Sequence, residues 1–162
     1  MGVMAGKSPR NANAPPQVRN QKAWHDYELV EKVEAGLALL GTEVKSLRQR
    51  GGDLEGAYAR VIDGEVWLIG AKIAPYALAA QNHESERRRK CLLRRSQIRK
   101  IESKLTQRGF TLVPLRIYFT ARGLAKVELA LARGKRQYDK RARLQKEQQK
   151  LDMQRALKRY KH

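Results

Sequence analysis

The chain has 162 residues, with 35 Lys and Arg against 16 Asp and Glu and a formal net charge of +19. Its 41% of hydrophobic residues is enough for a core, and its single cysteine excludes a disulfide framework or a multi-thiolate zinc site. The longest uncharged stretch, Ile73 to His83, is too short to span a bilayer, and the first 22 residues lack the apolar segment of a secretory leader. A cytoplasmic protein without a membrane role is expected, and its charge asks for a polyanion.

In chain order, residues 1–22 hold four basic and no acidic groups around NANAPPQV and predict a flexible basic arm. Residues 23–133 predict the folded body. Tyr27 to Glu34 and Leu37 to Leu40 suggest two strands around Gly36. Thr42 to Arg50 has Val44 and Leu47 at helical spacing and stops before Gly51-Gly52. Asp63-Gly64, between AYARVI and EVWLIGAKI, predicts a hairpin. Ser96 to Arg108 predicts a helix with Ser96 as N-cap, Ile98, Ile101 and Leu105 on one stripe, and Gly109 as its stop.

TLVPLRIYF then alternates, with Val113, Leu115, Ile117 and Phe119 on one face, and Pro114 suits an edge or a bulge. A turn at 120–123 joins it to LAKVELAL, where Ala125, Val127, Leu129 and Leu131 oppose Lys126, Glu128 and Ala130. The fold class expected is mainly β with helices, an OB-like antiparallel β-barrel with packed helices and a basic C-terminal tail. That tail, 134–162, is rich in helix formers but has few large apolar residues. It predicts a segment disordered alone and helical against an anionic surface.

Catalytic patterns are missing. His25, His83 and His162 stand apart, Cys91 has no CxxC partner and reads as a buried hydrophobe, and no phosphate-binding glycine loop occurs. Neither an enzyme nor a cofactor or metal is expected. Charge concentrates instead in 84–108, with ten basic and three acidic groups, and in 130–162, with twelve and three. Arg87-Arg88-Arg89-Lys90 reads as a phosphate-binding run extended by Arg94, Arg95, Arg99 and Lys100, against a plain solvated loop. Tyr138, in GKRQYDKR, sits in a segment too polar to bury it and could stack on a base, or lie on the barrel.

NQKAWHDYELVEKVEAGLALLGTEVKSLRQ, YARVIDGEVWLIGAKIAPY, RKCLL, GFTLVPLRIYF and KVELALARGKRQYDKR, in that order, resemble the bacterial SsrA-binding protein (SmpB) family from about Asn20 to Arg141. The resemblance implies an RNA-binding barrel that holds the tRNA-like domain of tmRNA (SsrA RNA) and takes it to stalled 70S ribosomes in trans-translation. It implies RNA contacts at Asn20, Lys22, His25, Tyr27, Glu34 and Leu92, with Lys45 and Arg48 of GTEVKSLR as further candidates. It carries a ribosome-contacting motif onto Gly134, Lys135, Arg136, Tyr138, Asp139, Lys140 and Arg141, reaching the small-subunit decoding centre and the mRNA channel. Elongation factor Tu would be a partner through the shared tmRNA. Two departures stand out, Gln21 in place of a basic residue and HESERRRKCLL in place of a proline- and aspartate-containing loop.

Three other readings share the charge. A structural ribosomal-RNA-binding protein would be stoichiometric with ribosomes. A single-stranded DNA-binding barrel would show several exposed aromatics on one strand face, and only Trp67 and Tyr118 offer themselves. A membrane-surface protein would need a continuous apolar face on the tail.

Overall fold

A computed structural model describes residues 16–160, the side chains of 136–141 excepted. Its strands are β1 (Gln17–Arg19), β2 (Tyr27–Leu37), β3 (Gly52–Asp53), β4 (Tyr58–Ile62), β5 (Glu65–Ile69), β6 (Lys72–Ile73), β7 (Arg89–Leu92), β8 (Phe110–Phe119) and β9 (Ala125–Gly134). The helices are α1 (Gln21–Asp26), α2 (Gly41–Gln49), α3 (Arg95–Leu105) and α4 (Lys135–Tyr160). A seven-stranded antiparallel sheet runs β1-β8-β4-β5-β7-β2-β9 and closes on itself through β8–β9, leaving β1 outside the ring. The mainly-β barrel with packed helices is therefore the fold of this chain.

Local chemistry explains its turns. Asp63 (φ 51°) and Gly64 (φ 75°) both take positive φ, the turn that matches the twist of β4 and β5. Gly51 (φ 76°) ends α2, its N–H donating to the Leu47 carbonyl. Gly52 admits no larger residue, because a Cβ there would lie 2.8 Å from the Lys72 carbonyl oxygen.

The barrel core holds Ala35, Leu37, Leu47, Val66, Leu68, Cys91, Leu112, Ile117, Val127, Leu129 and Leu131, with Ile98 and Ile101 of α3 packed into it. A smaller cluster lies on the other side of the sheet, where Ala23 of α1 meets Val113, Leu115, Ala130 and Ala132 beside Tyr27 and Leu29. Here the expected alternation of β8 needs correction. The register shifts between Pro114 and Arg116, so Val113 and Leu115 face the outer cluster while Leu112, Ile117 and Phe119 face the barrel. Pro114 does sit at a bulge, and the bulge inverts the phase of the strand.

Other boundaries also move. Tyr27–Leu37 is one strand through Gly36, because β9 pairs along it from Tyr27 to Gly36 around a bulge at Leu29/Glu31. Ser96 is not the cap of α3; Arg94 is, and the Gln97 side chain accepts from its N–H at 3.0 Å. The arm expected over 1–22 is strand and helix from Gln17, because Val18 pairs with Ile117 and is buried in the core. Residues 1–15 lie outside the described residues. The tail, expected to be disordered alone, is helical in this structure from Lys135 to Tyr160.

Candidate nucleic-acid interface

The outer face of β2, β9 and β8 carries the small cluster at one end and exposed polar groups at the other. Helix α1 covers the apolar end by burying Ala23, and Asn20 fixes its start. The Asn20 side chain accepts from the Ala23 N–H (3.3 Å) and donates to the carbonyls of Pro114 (2.9 Å) and Leu54 (3.2 Å). Asn20 is buried, and these hydrogen bonds position α1. Lys22 and His25 are exposed on α1. Lys22 reaches Glu55 at 2.5 Å, which holds its ammonium pKa above the ordinary value through hydrogen bond and charge. His25 Nδ1 lies 3.1 Å from Asp26. Tyr27 is half-buried against the small cluster.

Beyond the cluster the same face becomes an ionic network. Glu34 stands opposite Glu128 in the β2–β9 register, an unfavourable juxtaposition in isolation. Cations resolve it, since Arg116 Nε donates to Glu128 at 2.9 Å and Lys32 Nζ lies 3.9 Å from Glu128. The Arg116 guanidinium also stacks over Tyr118 at 4.3 Å. Burial, together with the neighbouring Glu34 carboxylate, pushes the Tyr118 hydroxyl up to about 12, so it stays protonated beside that carboxylate. Glu34 is thus an exposed carboxylate beside a protonated hydroxyl. Leu92 is also exposed and lies across Gly36, where an added Cβ would come within 3.1 Å of its own.

Lys45 and Arg48 occupy the exposed side of α2, away from α1. Lys45 sits over Tyr76 (5.5 Å) and Arg48 over Phe119 (4.8 Å), near the β8–β9 turn at Gly123. The structure therefore brings Lys22, His25 and Tyr27 together on and beside α1, with Glu34 and Leu92 along β2 and β7, and places Lys45 and Arg48 as a second group.

The basic run 87–90 is not a free phosphate site. Arg89 is fully buried and bonds Glu43, Arg87 bonds the same carboxylate at 2.5 Å, Lys90 lies 3.5 Å from Glu65, and Arg88 lies 5.9 Å over Trp67. Arg94, Arg95, Arg99 and Lys100 remain exposed at the cap and along the first turns of α3. Cys91 is buried, and burial lifts its thiol to about 12, a core residue without nucleophilic character. His83 is buried too, bonded to Thr42 Oγ1 (2.8 Å) and the Ile73 carbonyl (2.9 Å). Among the described residues no group of three His, Cys, Asp or Glu could hold a metal, and no helix is long and apolar enough to cross a membrane. Trp67 and Tyr118 lie on strands that are not neighbours, so the aromatic strand face of a single-stranded DNA barrel is not formed by them.

Sequence reasoning missed Lys32, Arg116 and Glu128 as parts of this face, because strand pairing and not local pattern assembles them, and it missed Trp24, which α1 sets against Lys32. Trp24, 52% exposed, carries the Lys32 ammonium 4.4 Å from its ring centroid. Gly134 pairs with Tyr27 at the end of β9, and the Lys135 ammonium donates to the Trp24 carbonyl at 3.3 Å. The tail therefore leaves the barrel beside α1. The side chains of Arg136, Tyr138, Asp139, Lys140 and Arg141 lie outside the described residues; their backbone belongs to α4.

Residues 17–159 match a family model described as SmpB protein. The chain is 49% identical over 142 residues to an SsrA-binding protein of Syntrophobacter fumaroxidans, covering 87% of this chain and 88% of that one. It is 50% identical over 133 residues to an SsrA-binding protein of Thermus thermophilus, covering 82% and 92%. A chain of the solved structure "tmRNA-SmpB: a journey to the center of the bacterial ribosome" superposes with a TM-score of 0.64 at 51% identity, covering 74% of this chain and 84% of that one.

Proposed function

The chain belongs to the SmpB family, and from that premise we propose that it is an RNA-binding factor of trans-translation. It binds the tRNA-like domain of tmRNA and delivers it to stalled ribosomes. The observation that carries this reading is the adjacency of α1 and the root of the tail, where Gly134 faces Tyr27 and Lys135 holds the Trp24 carbonyl. One rigid barrel can then grip folded RNA at α1 and β2 while a cationic helix projects from the same edge. A tRNA-like domain offers loops, unstacked bases and backbone shape, which an exposed acceptor such as Glu34 and the cations Lys22, Lys45 and Arg48 can read.

On this reading the tail, with Lys135 to Arg141 at its base, enters the decoding centre and lies as a helix along the empty mRNA channel. The protein carries out no covalent step; the ribosome catalyses peptidyl transfer, and the work takes place in the cytoplasm. Elongation factor Tu joins through the tmRNA that both hold.

The test is recovery of the protein from cell lysate with sequencing of the co-purified RNA. The expected result is enrichment of tmRNA with substoichiometric ribosomes. Ribosomal RNA alone, in one-to-one proportion with the protein, would instead establish a structural ribosomal protein.

A further inference from the structure

Trp24 is a large aromatic side chain left half in solvent, on a helix whose neighbouring Ala23 is buried in the small cluster. It stands on α1 between that alanine and the exposed His25. Two cations attend it: the Lys32 ammonium lies 4.4 Å from the ring centroid, and the Lys135 ammonium holds the backbone carbonyl of the same residue. Of the nearby carboxylates, Asp26 pairs with His25 and Glu128 bonds Arg116 at 2.9 Å, its contact with Lys32 being the longer one at 3.9 Å. An indole flanked by ammonium groups fits a nucleotide, with the base on the ring and the phosphate on the lysines.

We infer that Trp24 is a stacking platform for an unpaired base of the bound RNA, with Lys32 and Lys135 contacting the adjoining phosphates. This rests on the tmRNA-binding reading and deepens it by naming a contact of a different kind from the charged ones. The position beside Lys22, His25 and Tyr27 places the stacked base in the tRNA-like domain. The competing explanation is structural: the Trp24–Lys32 pair would simply staple α1 to β2.

The two separate experimentally, since a stack contributes to affinity without releasing counterions and a staple contributes to folding alone. In a Trp67→Phe protein Trp24 is the sole tryptophan. Titration with the isolated tRNA-like domain should quench its fluorescence in parallel with binding measured by gel shift. Trp24→Ala should weaken binding about tenfold, within the range of one base–aromatic stack, with an unchanged dependence on salt. Trp24→Phe should recover most of the affinity, and Lys32→Gln should lower the salt slope by about one. Wild-type affinity in a folded Trp24→Ala protein whose only defect is a lower melting temperature would overturn the platform in favour of the staple. Unchanged Trp24 fluorescence while the gel shift shows binding would overturn it as well. Quenching that follows protein concentration without RNA would overturn it too, by assigning the ring to self-association. Failure of the wild-type protein to bind the tRNA-like domain at all would remove the tmRNA reading itself, and the platform with it.

Discussion

Arg89 and Glu43 form an ion pair in which neither side chain is exposed to solvent. The guanidinium also donates to the carbonyls of Ala71 (2.8 Å) and Ser85 (3.0 Å), and the carboxylate accepts from the Leu40 N–H (2.8 Å) and from Arg87. One pair thereby joins the start of α2, strand β7 and the chain before it. Removal of one partner strands a buried charge, so Arg89→Ala or Glu43→Ala should cost about 3–5 kcal/mol of folding stability. Urea unfolding measures this, and a loss below about 1 kcal/mol, the scale of a surface pair, would show that the pair is hydrated and not buried.

The same carboxylate sets an acid limit. Burial alone would raise the Glu43 pKa, but hydrogen bonds from Arg87, the Leu40 N–H and Arg89 outweigh it, and the folded value lies below the ordinary 4.5. The unfolded chain therefore takes up the proton first as pH falls, and stability falls with it. The contribution of Glu43 is complete above about pH 5.5 and is lost as pH drops through 4.5 toward the folded pKa. Glu31, lowered by its hydrogen bond with Lys104, has the same sign but stands partly in solvent and adds little. Stability measured from pH 7 to pH 3 should fall less steeply for Glu43→Gln than for the parent. Parallel curves would move the acid sensitivity to other groups.

Glu34 provides a test of recognition against charge. A carboxylate repels phosphate, so its replacement by alanine should tighten RNA binding if charge alone governs. Exposed on the outer face, the carboxylate is instead open to a base donor or a cationic group of the complex. Glu34→Ala should therefore weaken binding of the tRNA-like domain by roughly 1–3 kcal/mol. Tyr118→Phe should produce a smaller loss in the same direction. Tighter binding by Glu34→Ala in a filter or gel-shift titration would reduce Glu34 to a surface carboxylate.

The barrel was legible where its signals are local. Asp63-Gly64 and the 120–123 turn place two hairpins, and the stripe of Ile98 and Ile101 places α3, because each depends on neighbours in sequence. Pro114 announced its bulge, but its consequence for Val113 and Leu115 required knowing that α1 covers the outer face. The basic run 87–90 misled for the opposite reason. Its neutralising carboxylate, Glu43, lies 44 residues from Arg87 and 46 from Arg89, and no pattern in the run itself betrays so distant a partner. Asn20 falls in the segment expected to be a flexible arm, and a polar side chain gives no sign in sequence that its hydrogen bonds turn inward. Trp24 left one trace, a large aromatic in the polar stretch QKAWHDY, where only Ala23 is buried within the helix.

Lys45 and Arg48 test the electrostatic part of RNA binding. Both are exposed on α2, each held by an aromatic ring, Tyr76 and Phe119, so their charges are ordered and available. Lys45→Gln with Arg48→Gln should weaken binding of the tRNA-like domain. It should also lower the slope of log affinity against log salt by about two, one for each phosphate no longer neutralised. Circular dichroism should show no change of fold, because neither side chain is buried. An unaltered slope would place the RNA on the α1 side alone.

The barrel and the tail should come apart on truncation after Lys135. The cut keeps the Gly134–Tyr27 pairing and the Lys135 bond to Trp24, and it removes ten basic groups of the tail. From Arg143 to Tyr160 every residue of α4 is exposed, and no described core residue lies beyond the cut, so the melting temperature should stay within a few degrees. Binding of the tRNA-like domain should persist, because its proposed contacts precede the cut. Peptide tagging on stalled ribosomes should fail, since nothing would enter the decoding centre. Within the full chain, Tyr138→Ala tests stacking and the triple change Asp139→Ala, Lys140→Ala, Arg141→Ala tests local charge, each read as tagging at constant tmRNA affinity. A helix exposed from Arg143 to Tyr160 depends there on local propensity, so the isolated 136–160 peptide should be only partly helical and gain helix on ribosomes. Full tagging by the truncated protein would leave the barrel as the whole functional unit and the tail without a part in sensing the ribosome.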